Sequence, residues 1–229
     1  ISFVDCPGHH QLMSVMLNGA CVMDSALLIE SVTNIDIPSP QTLEHYIASD
    51  IADVPVSILC LNKMDLIKRK DVYSKIEQLR SINETLPFIP LAANFELNID
   101  VLCEYLCTKI PHPIRDLTQD VRMVVIRSFN VNKNKGDIQN LKGGVLGGSL
   151  QQGVLHENDN ITILPGCVIG KNGDFSVSPL HTKVVSIHSE KMKLEKAIPG
   201  GLLGVQTTLD SGITAQDRMV GSVVLTEKS

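Results

Sequence analysis

The sequence predicts an α/β domain with a parallel sheet, followed by an antiparallel β-barrel. Three observations carry this prediction. Apolar, strand-like runs alternate with helix-spaced segments over the first half. Pro111-His112-Pro113 stops that rhythm, because proline cannot continue a helix. Many short β-prone runs, separated by glycine-rich turns, then fill the second half.

In order along the chain, Ile1-Ser2-Phe3-Val4 is short, apolar and β-prone, and reads as a strand. Leu12, Met13, Met16, Leu17 and Ala20 follow helical spacing. Ser25 to Ile29 reads as a strand and Pro38 to about Ala52 as a helix. Val56 to Leu61 does not alternate, as expected of a parallel strand covered on both faces. Residues 69–85 read as an amphipathic helix and Phe88 to Leu91 as another strand. Asn98 is a candidate N-cap for a helix whose apolar stripe is Ile99, Leu102, Cys103, Leu106 and Ile110.

The boundary falls within 111–120, giving units of residues 1–117 and 118–229. Beyond it, strands are expected over Arg122 to Val131, Ile161 to Leu164, Lys183 to His188, Leu202 to Val205 and Val220 to Leu225. The dense glycines from Gly143 to Gly148 suit tight bends or bulges. His156 to Asp159, Pro165-Gly166, Asn172-Gly173-Asp174 and Pro199 to Gly201 read as turns.

Composition narrows the function classes. At 43% hydrophobic and 20% charged residues, the 229-residue chain can build a core. No apolar run approaches the roughly 18–20 residues of a membrane span, so no membrane is expected as a partner. Residues 1–117 carry 8 basic and 15 acidic side chains, and residues 118–229 carry 12 and 10. That balance argues against a strongly basic duplex-binding surface. The six cysteines contain no Cys-x-x-Cys pair, and Cys103 and Cys107 lack neighbours to complete a zinc site. Free, buried thiols in a reducing cytoplasm are the expectation. The chain starts at Ile1 rather than Met, and reads as processed or as an internal piece of a longer protein.

The chemistry concentrates just past three expected parallel strands, where open α/β sheets bind ligands. Asp5-Cys6-Pro7-Gly8 is the first place. Asp5 there can hold Mg²⁺, directly or through water, and Gly8 lets a backbone N–H approach a phosphate oxygen. An ordinary turn with Asp5 capping the next helix explains the same residues. Asn62-Lys63-Met64-Asp65 is the second. A carboxylate there can accept from guanine N1–H and the 2-amino group, donors that adenine lacks. Asn62 would tie neighbouring loops, the Lys63 stem would pack along the base plane, and Met64 would be the spacer. A helix start with Asp65 as N-cap is the competing explanation. Ala92-Ala93-Asn94 is the third, where small residues let a backbone N–H reach a base oxygen.

Asp5-Cys6-Pro7-Gly8-His9 followed by Asn62-Lys63-Met64-Asp65 resembles the translational GTPases. Further runs resemble the gamma-subunit family of eukaryotic and archaeal translation initiation factor 2. Among them are Leu17-Asn18-Gly19-Ala20, Pro40-Gln41-Thr42, Arg127-Ser128-Phe129, Leu141-Lys142-Gly143-Gly144 and Asp217-Arg218-Met219. The resemblance covers nearly the whole chain. It implies a GTP-dependent carrier that delivers initiator methionyl-tRNA to the small ribosomal subunit and hydrolyses GTP in the cytoplasm. It implies GTP or GDP and Mg²⁺ as cofactors, and alpha and beta subunits as partners. By the same resemblance Asp5 and Gly8 would sense Mg²⁺ and the γ-phosphate, and His9 would position the hydrolytic water. Asn62, Lys63, Met64 and Asp65 would read guanine, and Ala92, Ala93 and Asn94 would contact its oxygen. The barrel would help hold the tRNA acceptor end and the alpha subunit.

The sequence departs from the family in places. It contains no Gly-x-x-x-x-Gly-Lys-Ser/Thr, and the first switch, the zinc-knuckle region and the third domain are missing. Ala92 stands where the family usually has Ser, and His10 where it usually has Asp. Without the phosphate-loop strand, the first two strands are expected to expose unpaired edges, and the piece to bind nucleotide poorly. The alternative function is a non-hydrolysing scaffold subunit that binds the alpha and beta subunits.

Overall fold

The computed structural model describes residues 1–6, 19–20, 22–132, 141–171 and 174–226. The chain forms two compact units, Val4–Pro113 and Ile114–Ser229 together with Ile1–Phe3.

The first unit is a parallel sheet of β1 (Ala26–Ser31), β2 (Val56–Asn62) and β3 (Phe88–Pro90), in the order β1-β2-β3. Three helices follow the strands in turn: α1 (Pro40–Ile51), α2 (Val72–Arg80) and α3 (Ile99–Thr108). Ser39 starts α1 by accepting the Thr42 N–H on its hydroxyl at 3.3 Å, with Pro40 at the first helical position. β2 is covered on both faces. Ile58 and Cys60 pack with Ile89, Leu91 and the α3 residues Ile99, Leu102, Tyr105 and Leu106. Leu61 packs on the opposite side with Leu79 and Ile76 of α2. This double burial is why β2 shows no alternation.

The structure differs from several sequence expectations here. Ile1 to Val4 form no strand, and Ile1 and Phe3 are exposed. No described strand lies beside them, and a lone strand leaves its N–H and C=O groups unpaired. The helix expected over 69–85 is a 3₁₀ turn at Arg69–Asp71 followed by α2, which ends at Arg80. Asn98 sits at the start of α3, but its backbone is left-handed (φ 59°) and its side chain caps nothing. Its amide donates instead to the Pro90 carbonyl at 2.7 Å, pinning α3 to the end of β3. Tyr105, not Cys103, completes the half-buried, core-facing stripe of α3. Cys103 and Cys107 face solvent, against the expectation of buried thiols, whereas Cys60 is buried. The expected helix over Leu12 to Leu17 lies outside the described residues.

The second unit is a closed barrel. Its strands are β4 (Arg122–Phe129), β5 (Val145–Gln152), β7 (Asn160–Lys171), β8 (Asp174–Ser189), β11 (Leu203–Thr207) and β12 (Val223–Thr226). They run β11-β5-β4-β12-β7-β8, and β8 pairs with β11 to close the ring, all antiparallel. β9 (Met192–Leu194) extends β8, and β6 (Leu155–His156) pairs with β10 (Lys196–Ala197). Met123, Leu146, Leu150, Ile161, Ile163, Ile187 and Val205 fill the interior, all but fully buried.

Pro165-Gly166 is not a turn: the pair lies inside β7, where the register with β8 shifts between Ile163 and Cys167. A proline is tolerated at such a bulge because the ladder bond it cannot donate is already interrupted. The glycines from Gly143 to Gly148 do less bending than expected. A Cβ on Gly148 would strike the Val124 carbonyl oxygen, and one on Gly144 the Thr214 hydroxyl. They permit close approach between strands, and of the two register shifts between β4 and β5 the one between Val125 and Arg127 lies opposite Gly148 and Gly147, with the extra residue in β4.

Candidate functional site

The candidate site lies at the carboxyl ends of β2 and β3. Asn62 ends β2, and its side-chain oxygen accepts two backbone N–H groups: Lys63 at 2.8 Å and Ala93 at 3.2 Å. One side chain thus joins the loop after β2 to the loop after β3. The main chain adds two ties, with Leu91 N–H donating to the Leu61 carbonyl at 2.7 Å and Met64 N–H to the Leu91 carbonyl at 3.0 Å.

Lys63 adopts a left-handed backbone (φ 65°), an uncommon state for a residue with a Cβ. That turn swings the chain from β2 into a short 3₁₀ turn over Met64–Leu66. Asp65 lies within this turn rather than at its cap, and its side chain is exposed. It makes no hydrogen bond or ion pair among the described residues, so its carboxylate stands free beside the Asn62 tie. The second loop closes on itself through reciprocal bonds between Ala92 and Leu97. Ala92 is buried and its N–H is engaged by Leu97; the Ala93 N–H is engaged by Asn62. Asn94 is exposed, and its N–H has no partner among the described residues.

The first group of expected residues, around Asp5, is only partly described. Asp5 is exposed in an irregular segment. Gly8, His9 and His10 lie outside the described residues. No group of three His, Cys, Asp or Glu side chains is gathered for a metal ion among the described residues. A lone carboxylate such as Asp5 matches the way Mg²⁺ is held by one or two carboxylates, waters and phosphate oxygens.

Sequence reasoning missed a polar knot beside the site. Glu30, in β1, is 2% exposed. Its carboxylate accepts the Ser39 N–H at 2.8 Å, the Ser31 N–H at 3.0 Å and the Asn34 side-chain amide. Burial pushes this carboxyl up, but the Ser39 N–H and the Thr42, Ser39 and Asn34 side chains outweigh it and hold it below its ordinary value. From the other side, Lys75 of α2 donates to the Asn34 and Ile35 carbonyls at 3.0 and 3.2 Å. A depression lined by residues from Thr33 to Gln41 opens over this loop. The one available signal was a lone acid inside an otherwise apolar strand run, Ala26-Leu27-Leu28-Ile29-Glu30. Val32 N–H donates to the Asn62 carbonyl at 3.0 Å, so the knot and the Asn62 tie share a strand end.

Residues 1–112 match the family model described as the elongation factor Tu GTP binding domain. The fold is similar to solved structures of the translation elongation factor SelB from Methanococcus maripaludis. The form in complex with the GTP analogue GppNHp gives a TM-score of 0.78 at 22% identity, covering 98% of this chain and 46% of that one. The apo form gives 0.75 at 23%, covering 100% and 46%. A parallel α/β unit followed by an antiparallel barrel is thus the architecture of the translational GTPases. Two curated relatives narrow this. Eukaryotic translation initiation factor 2 subunit 3 of Drosophila melanogaster is 44% identical over 98% of this chain and 48% of its own length. Eukaryotic translation initiation factor 2 subunit gamma of Schizosaccharomyces pombe is 43% identical over 98% and 51%. The chain belongs to the gamma-subunit family of translation initiation factor 2. It spans about half the length of the curated relatives it matches.

Proposed function

We propose that this chain is the guanine-reading part and the following barrel of a GTP-hydrolysing initiation factor subunit. In the whole protein, this subunit binds initiator methionyl-tRNA and brings it to the small ribosomal subunit in the cytoplasm, with alpha and beta subunits as partners. Residues 1–117 form part of the GTP-binding domain, and residues 118–229 the barrel that helps hold the tRNA acceptor end and the alpha subunit. The observation that carries the nucleotide reading is the Asn62 tie, which fixes two strand-end loops together and leaves the Asp65 carboxylate unpartnered next to it.

Each role follows from chemistry. Asp65 accepts from guanine N1–H and the 2-amino group. Asn62 holds the two loops at the spacing this requires, the Lys63 stem lies along the base, and Met64 spaces the turn. Ala92 and Ala93 keep the second loop slim, and the open N–H at Asn94 donates to the base oxygen. Asp5 would hold Mg²⁺, Gly8 would meet the γ-phosphate and His9 would orient the attacking water. Mg²⁺, when bound with GTP, neutralises charge on the phosphate oxygens.

The test uses the full-length protein and Asp65→Asn. An amide in place of the carboxylate suits xanthine, which carries an oxygen where guanine carries its 2-amino group. GDP affinity falls by about 100-fold or more, as expected when buried polar groups lose their match, and xanthosine diphosphate binding rises. Unchanged GDP affinity in this variant rejects the reading.

A further inference from the structure

Helix α3 carries two thiols that the nucleotide site does not use. Cys103 and Cys107 are both free and both exposed. They stand four residues apart within Ile99–Thr108, so they share one face of the helix. Neither has a partner among the described residues. Of the other described cysteines, Cys60 is buried, and Cys6 and Cys167 are half-buried.

Helix geometry decides what this pair can do. Side chains at i and i+4 have Cβ atoms about 5–6 Å apart. A disulfide needs Cβ atoms about 3.5–4.5 Å apart, so α3 would have to unwind to form one. A single ion held between two sulfurs makes no such demand, because each sulfur needs only to reach the ion. No third His, Cys, Asp or Glu completes a group among the described residues, so a four-ligand zinc site is not available. Soft thiolate ligands select soft ions, and monovalent copper is satisfied by few of them.

We propose that Cys103 and Cys107 form a two-thiolate site for Cu(I). Two thiols give up two protons, two sulfur–copper bonds form, and copper stays in the monovalent state. The resulting bis-thiolate carries one negative charge. The site rests on α3 alone and is independent of the guanine reading.

The test titrates the full-length protein against Cu(I) held as its bicinchoninate complex. The native protein withdraws one more equivalent than the double variant C103S/C107S. Each single variant, Cys103→Ser or Cys107→Ser, loses that same equivalent, because the second thiol acts at an effective concentration that strengthens binding about 100-fold or more. The captured equivalent is also lost as pH falls, since protons compete for both sulfurs. A geometric control adds Asp100→Cys and Glu104→Cys to the double variant. Both positions are exposed and again four apart on α3, and the equivalent returns. The proposal is overturned if either single variant keeps the equivalent, or if the D100C/E104C protein, folded by its thermal transition, fails to recover it.

Discussion

Asn62 and Ala93 lie 31 positions apart in the chain, yet the Asn62 side-chain oxygen accepts the Ala93 N–H at 3.2 Å. The same oxygen accepts the Lys63 N–H at 2.8 Å. One amide therefore fixes both loops that the guanine reading requires.

Replacing Asn62 with Ala removes both bonds. Lys63 loses its hold on a left-handed turn, and the Ala92–Leu97 loop loses its outside anchor. The expected cost is about 1–3 kcal/mol of stability, from two donors left to find water. Guanine nucleotide affinity of the full-length protein is expected to fall by about tenfold or more, since each 1.4 kcal/mol is a factor of ten. Denaturant unfolding and nucleotide titration check the two effects; unchanged values in both would show that the tie is idle.

Glu30→Gln separates charge from shape in the buried knot. The Ser31 N–H and the Asn34 amide meet one carboxylate oxygen and the Ser39 N–H meets the other, so the glutamine's single oxygen serves only one side, its NH₂ faces a donor on the other, and the charge-assisted bonds are lost. The expected loss is about 1.5–3 kcal/mol at neutral pH. The native carboxyl titrates below the ordinary glutamate value of 4.5. A depressed carboxyl contributes stability above its unfolded value, and that contribution is lost as pH falls through the folded one. The gap between native and variant should therefore be constant above about pH 5 and narrow below 4.5. Urea unfolding from pH 3 to 7 reads this directly. A gap that widens in acid would contradict it.

Gly148→Ala tests the close approach of β4 and β5. Its new methyl meets the Val124 carbonyl oxygen, lies 2.9 Å from the carbonyl carbon and 3.1 Å from the Met123 methyl. The Met123 side chain can shift, but the backbone of β4 cannot shift without breaking the ladder. Overpacking against a backbone is expected to cost about 3 kcal/mol. Gly204→Ala, where the nearest atom is the His188 carbonyl at 3.9 Å, is expected to cost much less by the same thermal-unfolding measurement.

Thiol reactivity should divide sharply. Burial pushes the Cys60 thiol up to about 12, so it stays protonated and covered at pH 8. Cys103 and Cys107 are exposed. Iodoacetamide at pH 8, read by peptide mass, is expected to label the latter pair in the native protein and Cys60 only after unfolding.

The alternation of strands and helices was legible because burial on both faces of β2 leaves an unbroken apolar run, Ile58 to Leu61. The barrel was legible from short β-prone runs. What remained hidden depended on contacts between distant residues. Pro165-Gly166 has the composition of a turn, and only the length of β8 opposite shows that it is a bulge. Cys103 fits the helical stripe, and only the position of the sheet shows that Tyr105 fills it instead. Glu30 looks like an isolated acid until the loop after β1 folds back and brings Ser39 and Asn34 to it. At the candidate site, Asn62, Lys63 and Asp65 could be picked out by residue type, and so could a tie by Asn62 between neighbouring loops; hidden was that its partner in the second loop is the Ala93 N–H, with the Asn94 N–H left open.

In the barrel, β4 pairs with β12, so its earliest strand is completed by its latest. The Val121 N–H donates to the Thr226 hydroxyl across 105 positions. During synthesis, β4 leaves the ribosome long before its neighbour exists. The ring cannot shut until Val223–Thr226 has emerged, and until then β4 and β7 each keep a bare edge. A nascent chain halted just before that point holds most of the barrel's apolar residues but not its closure. Such a chain is an expected client for the chaperones that guard unfinished proteins.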